Sequence, residues 1–110
     1  MKHETVIPIY RIPIFFTNDI DLLSKRIQED IPSYDDEVYC HGRTSIWHDS
    51  KNRMHIGIYA DCMPTLAHES VHAAHDVFKE IGQEPDVDND ECYAYLVSWI
   101  VKEFIEHIEI

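Results

Sequence analysis

The chain has 110 residues, enough for one compact domain spanning 1–110. Its hydrophobic content of 45% is ordinary for a globular protein and excludes a disordered chain. With 21 acidic against 9 basic residues and a formal charge of −12, its surface repels nucleic-acid phosphates, so DNA or RNA binding is disfavoured; a protein mimicking nucleic acid would share that acidity.

The three cysteines, Cys40, Cys62 and Cys92, are odd in number and form no C-x-x-C pair. Neither a disulfide framework nor a cysteine zinc site is expected, and reduced thiols fit a cytoplasmic setting. Met1 to Thr5 lack the apolar core of a signal peptide, and no apolar run approaches the ~18 residues of a membrane span.

Thr5 to Thr17 is rich in β-branched and aromatic residues and predicts a strand. Pro8 and Pro13 remove ladder donors and push it toward an edge or a bulge. Asn18 or Asp19 can cap a helix running to about Asp30, with Ile20, Leu23 and Ile27 as its buried stripe and Pro32 as its stop. Glu37 to His48 and Arg53 to Ala60 read as two strands of a hairpin turning at Asp49–Asn52. In the second strand Met54, Ile56, Ile58 and Ala60 alternate with Arg53, His55, Gly57 and Tyr59, so one set should face the core. Gly57 leaves a gap where another backbone can approach. Tyr39, Trp47 and Tyr59 read as sheet packing, and His3, His41, His48 and His55 as surface or strand residues.

A helix follows, from Pro64 or Thr65 to a C-cap at Gly82. It carries His68-Glu69-Ser70-Val71-His72, the His-Glu-x-x-His pattern. Residues four apart lie on one helical face, so both imidazoles can reach one ion. The pattern makes Glu69 the general base toward a water activated by zinc. Ala73, Ala74, Val77, Phe78 and Ile81 cover the opposite side, so the helix stands between core and metal. Gln83 to Asn89 form an acidic loop. Its Asp86-x-Asp88-x-Asp90 run lacks the Gly and Glu of a calcium hand, having Glu91 and Val97 there. Asp88 or Asn89 then caps a last helix to about His107, apolar on most sides from Tyr93 to Val101 and therefore expected to be largely buried.

A catalytic zinc wants three protein ligands. Glu91, His75 and Asp76 are the candidates for the third. His75 and the two motif histidines occupy three successive turns, which a straight helix cannot easily bring to one ion. Glu91 opens the next helix, and antiparallel packing would return its first turn to the metal. Glu91 is also readable as the partner of Asp88 in a capping box. Cys62 can approach the metal from the start of the motif helix, whereas Cys92 reads as a small buried hydrophobe.

Thr65-Leu66-Ala67-His68-Glu69-x-x-His72 resembles the motif helix of the ImmA/IrrE-type peptidases and other minimal gluzincins. The order strand, helix, two strands, motif helix, Glu helix is similar to their core. Asn89-Asp90-Glu91-Cys92-x-Ala94-Tyr95 resembles the Glu helix of small phage-encoded proteins. The resemblance spans mainly residues 54–104. It implies an α+β fold in which a small, mostly antiparallel sheet packs against the motif helix and a C-terminal Glu-bearing helix. It implies a zinc-dependent metallopeptidase with ligands His68, His72 and Glu91 and base Glu69, acting on a peptide or protein in the cytoplasm, the host's if phage-encoded. Two departures stand out. Tyr95 occupies the place where larger gluzincins have an acidic residue orienting the first histidine, and the later domain that supplies their oxyanion donor has no counterpart within these residues. Tyr93, Tyr95, His75 and His107 are the candidates for that donor. Substrate is expected as an added strand along Met54 to Ala60. The competing readings are a catalytically weak or inactive zincin-fold binding protein, such as a phage factor acting on a host protein, and a metal-free acidic interaction domain.

Overall fold

A computed structural model describes residues 1–35, 40–84, 86–88 and 90–110. The expected strand residues Glu37 to Tyr39 and the alternative cap Asn89 lie outside them. Among the described residues the order is β1 (Lys2–Val6), β2 (Pro13–Thr17), α1 (Ile20–Asp30), β3 (Gly42–His48), β4 (Met54–Ala60), α2 (Met63–Glu80) and α3 (Asp90–His107). The strands form one mixed sheet in the order β1-β2-β4-β3. β1–β2 and β3–β4 are antiparallel, and β2–β4 is parallel. The fold is therefore α+β, with a sheet only partly antiparallel.

The single strand expected over Thr5 to Thr17 is two. Pro8 lies in the intervening turn, and Pro13 opens β2, the strand position that most readily tolerates a missing donor. Ile7 N–H to the Ile12 carbonyl (2.8 Å) closes the hairpin. Ile9 and Arg11 take left-handed backbone (φ 68° and 59°) to complete it. The expected edge placement holds only for β1; β2, which Pro13 opens, lies inside the sheet between β1 and β4, because a first strand residue can lack its donor without breaking the ladder.

α1 matches its expected bounds. The Asp19 carboxylate accepts from Asp21 N–H at 2.9 Å, and the helix ends just before Ile31-Pro32. Leu23 and Ile27 are buried, with Ile20 at the margin.

β4 corrects the alternation argument. All seven of its residues are buried, not one set of two. The side chains do alternate, but both faces are covered. Ile56 and Ile58 join Ile14 and Phe16 under α2 and α3. Tyr59 joins Phe15 and Trp47 under Leu23 and Ile27 of α1. Gly57 receives side chains rather than a backbone, since a Cβ there would meet Leu23 and the Trp47 ring.

α2 buries Leu66, Ala73, Ala74, Val77 and Phe78 and ends with Gly82 in left-handed backbone (φ 76°). Ile81, expected on the buried side, is exposed. α3 lies antiparallel on α2. Tyr93 reaches Val71 and Phe78, while Met63 lies with Ile105–Ile110. α3 is less buried than its apolar run suggests. Leu96, Ile100 and Phe104, continued by Ile108 just past the helix, form its packed stripe, spaced four residues apart, while Tyr95 faces solvent. Cys92, expected to be buried, is exposed. It lines an apolar groove with Tyr95, Trp99 and Ile9. No helix among the described residues is long and apolar enough to cross a membrane.

Candidate metal centre

α2 starts directly after β4. Cys62 occupies its N-cap, and Pro64 lies in the first turn, where a missing N–H costs nothing. The Cys62 thiol contacts the Thr65 hydroxyl at 3.1 Å and is not one of the clustered donors. The i, i+4 spacing sets His68 and His72 side by side on the exposed face, their Nε2 atoms 3.1 Å apart. Two donors of one tetrahedral zinc, each at about 2.0–2.1 Å, would be about 3.3 Å apart, so the pair is spaced as ligands are. One Nε2 donates to the other here. An ion would replace that proton. The Glu69 carboxylate completes the cluster, with all three donor atoms within 4.8 Å of one another. Glu69 is only 7% exposed, unlike the two histidines.

β3 crosses α2 closely at this point. A Cβ at Gly42 would collide with the Thr65 methyl and come within 3.1 Å of Glu69 Cγ, so the crossing requires glycine. Thr44 Oγ1 donates to the Glu69 carbonyl at 3.0 Å and fixes the strand to the helix. Between them opens a groove of ≈ 460 Å³ lined by Gly42, Arg43, Thr44, Ile46, Glu69, His72 and Asp76. Gly42 and Thr44 carry no motif. The only signal for them in the sequence is a glycine inside a strand-like run.

The expected substrate strand needs correction. Both edges of Met54–Ala60 are taken, by β2 and β3, so no peptide can add there. Among the described residues β3 has no strand on its far side, and it lines the groove with Glu69 and His72.

The three candidates for a third ligand are placed differently. Asp76 shares the groove with Glu69 and His72. Burial raises its carboxyl pKa, and the nearby His72, His75 and Lys79 oppose that rise. His75 is exposed and meets the Tyr93 ring edge-on, with centroids 6.5 Å apart. Glu91 is exposed on the first turn of α3, two residues before Tyr93, and its carboxylate is not part of the 4.8 Å cluster.

Of the four oxyanion candidates, Tyr93 and His107 are engaged elsewhere, while Tyr95 and His75 are exposed. Tyr93 Oη donates to the Val71 carbonyl at 2.9 Å, and burial, then Asp76, raises its pKa. Tyr95 lines the apolar groove beside Ile9, and His107 stacks on His3. His55 is buried in the strand. Its Nε2–H donates to Asp49 at 2.9 Å, and its ring stacks on Trp47.

Compared with family models, curated proteins and solved structures, the chain gives no significant match, so its function is read from its own residues.

Proposed function

We propose that the chain is a zinc-dependent metallopeptidase. The observation that carries this reading is the convergence of His68 Nε2 and His72 Nε2 at 3.1 Å, with the Glu69 carboxylate in the same cluster. Two imidazoles at ligand spacing suit zinc, and the Glu69 carboxylate beside them suits the base for a water on that ion. Bound there, zinc would supply Lewis acidity, lowering the pKa of a coordinated water and polarising a carbonyl. His68 and His72 hold the ion. Glu69 accepts the proton of the attacking water and returns it to the leaving amine. Its partial burial keeps bulk water from competing for that proton. Glu91 is the proposed third ligand. It stands at the start of an antiparallel helix whose Tyr93 already touches the motif helix, and Asp76 is the competing donor. A peptide would lie along β3, across the groove that Gly42 and Thr44 hold against α2.

Tyr93 and His107 have other engagements, and Tyr95 faces solvent, which favours a second reading: a zincin-type protein that binds a partner with weak or no turnover. Glu69→Gln decides between them. Under the peptidase reading the variant keeps its zinc and loses peptide hydrolysis by about 10²–10⁴-fold, measured on a mixture of quenched peptides. A Glu69→Gln protein that binds zinc and hydrolyses at the wild-type rate would sink the mechanism. Zinc binding with no hydrolysis in the wild type would leave the binding protein. Absence of zinc at His68 and His72 would leave an acidic interaction domain.

A further inference from the structure

The tip of the β1–β2 hairpin lies against α3 and leaves an apolar groove of ≈ 420 Å³ between them. Pro8, Ile9 and Tyr10 form one wall, and Tyr95, Leu96 and Trp99 the other. Two of these side chains stand in water: Ile9 is 90% exposed and Tyr95 72%. Single exposed apolar residues are ordinary, whereas several gathered on one concave surface mark a binding site.

The turn presents Ile9 at a cost. Its φ of 68° lies in the left-handed region, where the branched Cβ of isoleucine crowds the backbone. Three backbone bonds hold the turn in that shape: Ile7 N–H to the Ile12 carbonyl, Tyr10 N–H to the Pro8 carbonyl and Arg11 N–H to the Ile7 carbonyl, at 2.8, 2.7 and 2.8 Å. Glycine would make the same bonds without the crowding. An isoleucine so placed gains burial only when something covers it.

The charges around the groove indicate what covers it. Next to Cys92, which lines one end, Asp88, Asp90 and Glu91 are exposed. The basic residues of α3 are turned to other acids, Lys102 to Glu106 at 3.8 Å and His107 to Glu103 at 3.9 Å. On the hairpin side Arg11 is exposed, one cation against those three carboxylates. A second copy would bring the same acidic turn and a further charge of −12, which Coulomb repulsion opposes, whereas a basic partner is drawn in. We propose that this groove, independently of the α2 site, docks a cationic amphipathic helix of a partner protein. Its apolar side chains sit between Ile9 and the Tyr95–Trp99 wall, and its Lys or Arg residues face Asp88 and Asp90.

The probe is a synthetic helix of about four turns, built of Leu and Lys with every Leu on one face. Its binding to the full chain is read from Trp99 fluorescence, since the other tryptophan, Trp47, is buried in the core under α1. Saturable binding of one peptide per chain is expected, weakening as salt is raised. Ile9→Gly and Tyr95→Gln should each weaken it at least about tenfold. Ile9→Gly should leave Tm unchanged or raise it, because glycine relieves the turn, so its loss of binding is not loss of fold. Asp88→Asn/Asp90→Asn should weaken binding and flatten its salt dependence. The proposal is overturned if the Leu/Lys helix does not bind, or if Ile9→Gly and Tyr95→Gln both bind it at wild-type strength. It is also overturned if a peptide of the same composition in scrambled order, or the Leu/Glu counterpart, binds as tightly. Sedimentation showing the chain paired with itself through contacts that Ile9→Gly removes would overturn it too, since the occupant would then be a second copy.

Discussion

The two histidine clusters are built by opposite means. His68, Glu69 and His72 lie within one turn and a half of a single helix, so their proximity follows from helical geometry alone. His3 and His107 come from opposite ends of the described chain, and only the docking of α3 against β1 brings them together. The first cluster survives any change that leaves α2 helical. The second reports on tertiary structure. His55 marks a third condition. It is buried, with its Nε2 committed to Asp49 and Asp30 only 4.0 Å away, and so is not offered to an ion.

The strongest way to separate the two clusters is to loosen α3. Phe104 is fully buried and meets Phe16 edge-on at 5.6 Å, between the helix and the sheet. Phe104→Ala is expected to cost ~3–5 kcal/mol in denaturant unfolding. It should part the stacked His3 and His107 rings, read from their NMR ring signals, while zinc at His68 and His72 is retained. Loss of the His68/His72 zinc along with the ring contact would erase the distinction between local and assembled clusters.

A finer cut lies within the α2 site. Glu91 is supplied by α3, Asp76 by α2 itself. Neutralising the true third ligand, by Glu91→Gln or Asp76→Asn, should weaken zinc binding by at least about 10–100-fold, while the other change costs less than about threefold. A dominant Asp76 would make the site wholly local to one helix. A dominant Glu91 would make it, too, depend on how α3 docks.

The smallest effect concerns His55. The Asp49 carboxylate accepts from His55 Nε2, then from Arg53 N–H at 3.0 Å and Lys51 N–H at 2.9 Å, and these bonds hold its pKa well below the usual carboxylate range. A pKa lowered by folding contributes stability in full above the unfolded value of about 4, and that contribution disappears as pH falls toward the folded value. Asp49→Asn should therefore flatten the acid side of a Tm–pH curve between about pH 5 and 2, and leave zinc binding unchanged.

These differences follow what a sequence can express. Asp19 as cap, Pro32 as stop and His68-Glu69-x-x-His72 as a one-faced cluster are local, and the structure has α1 and α2 where they predict them. Alternation along β4 correctly sorted its side chains into two sets. It carried no information on whether α1 would cover the second set, and it does. The apolar run of α3 likewise concealed which stripe would pack. That β4 is interior and β3 the last strand among the described residues was illegible because it depends on strand order, which the parallel β2–β4 pairing sets. His3 had no motif context because its partners lie at the far end of the chain.

That parallel pairing also governs how the chain assembles. The β1–β2 and β3–β4 ladders each join neighbours in sequence, across short turns. The β2–β4 ladder, with Ile14 opposite Ile56, closes only after residues 18–53 have been looped out between them. Bringing such ends together costs conformational entropy before any contact offsets it. Two early hairpins and one late seam follow. Truncating Ile14 or Ile56 at the seam should slow refolding in stopped-flow kinetics, whereas trimming the outer face of α3 should act on unfolding alone.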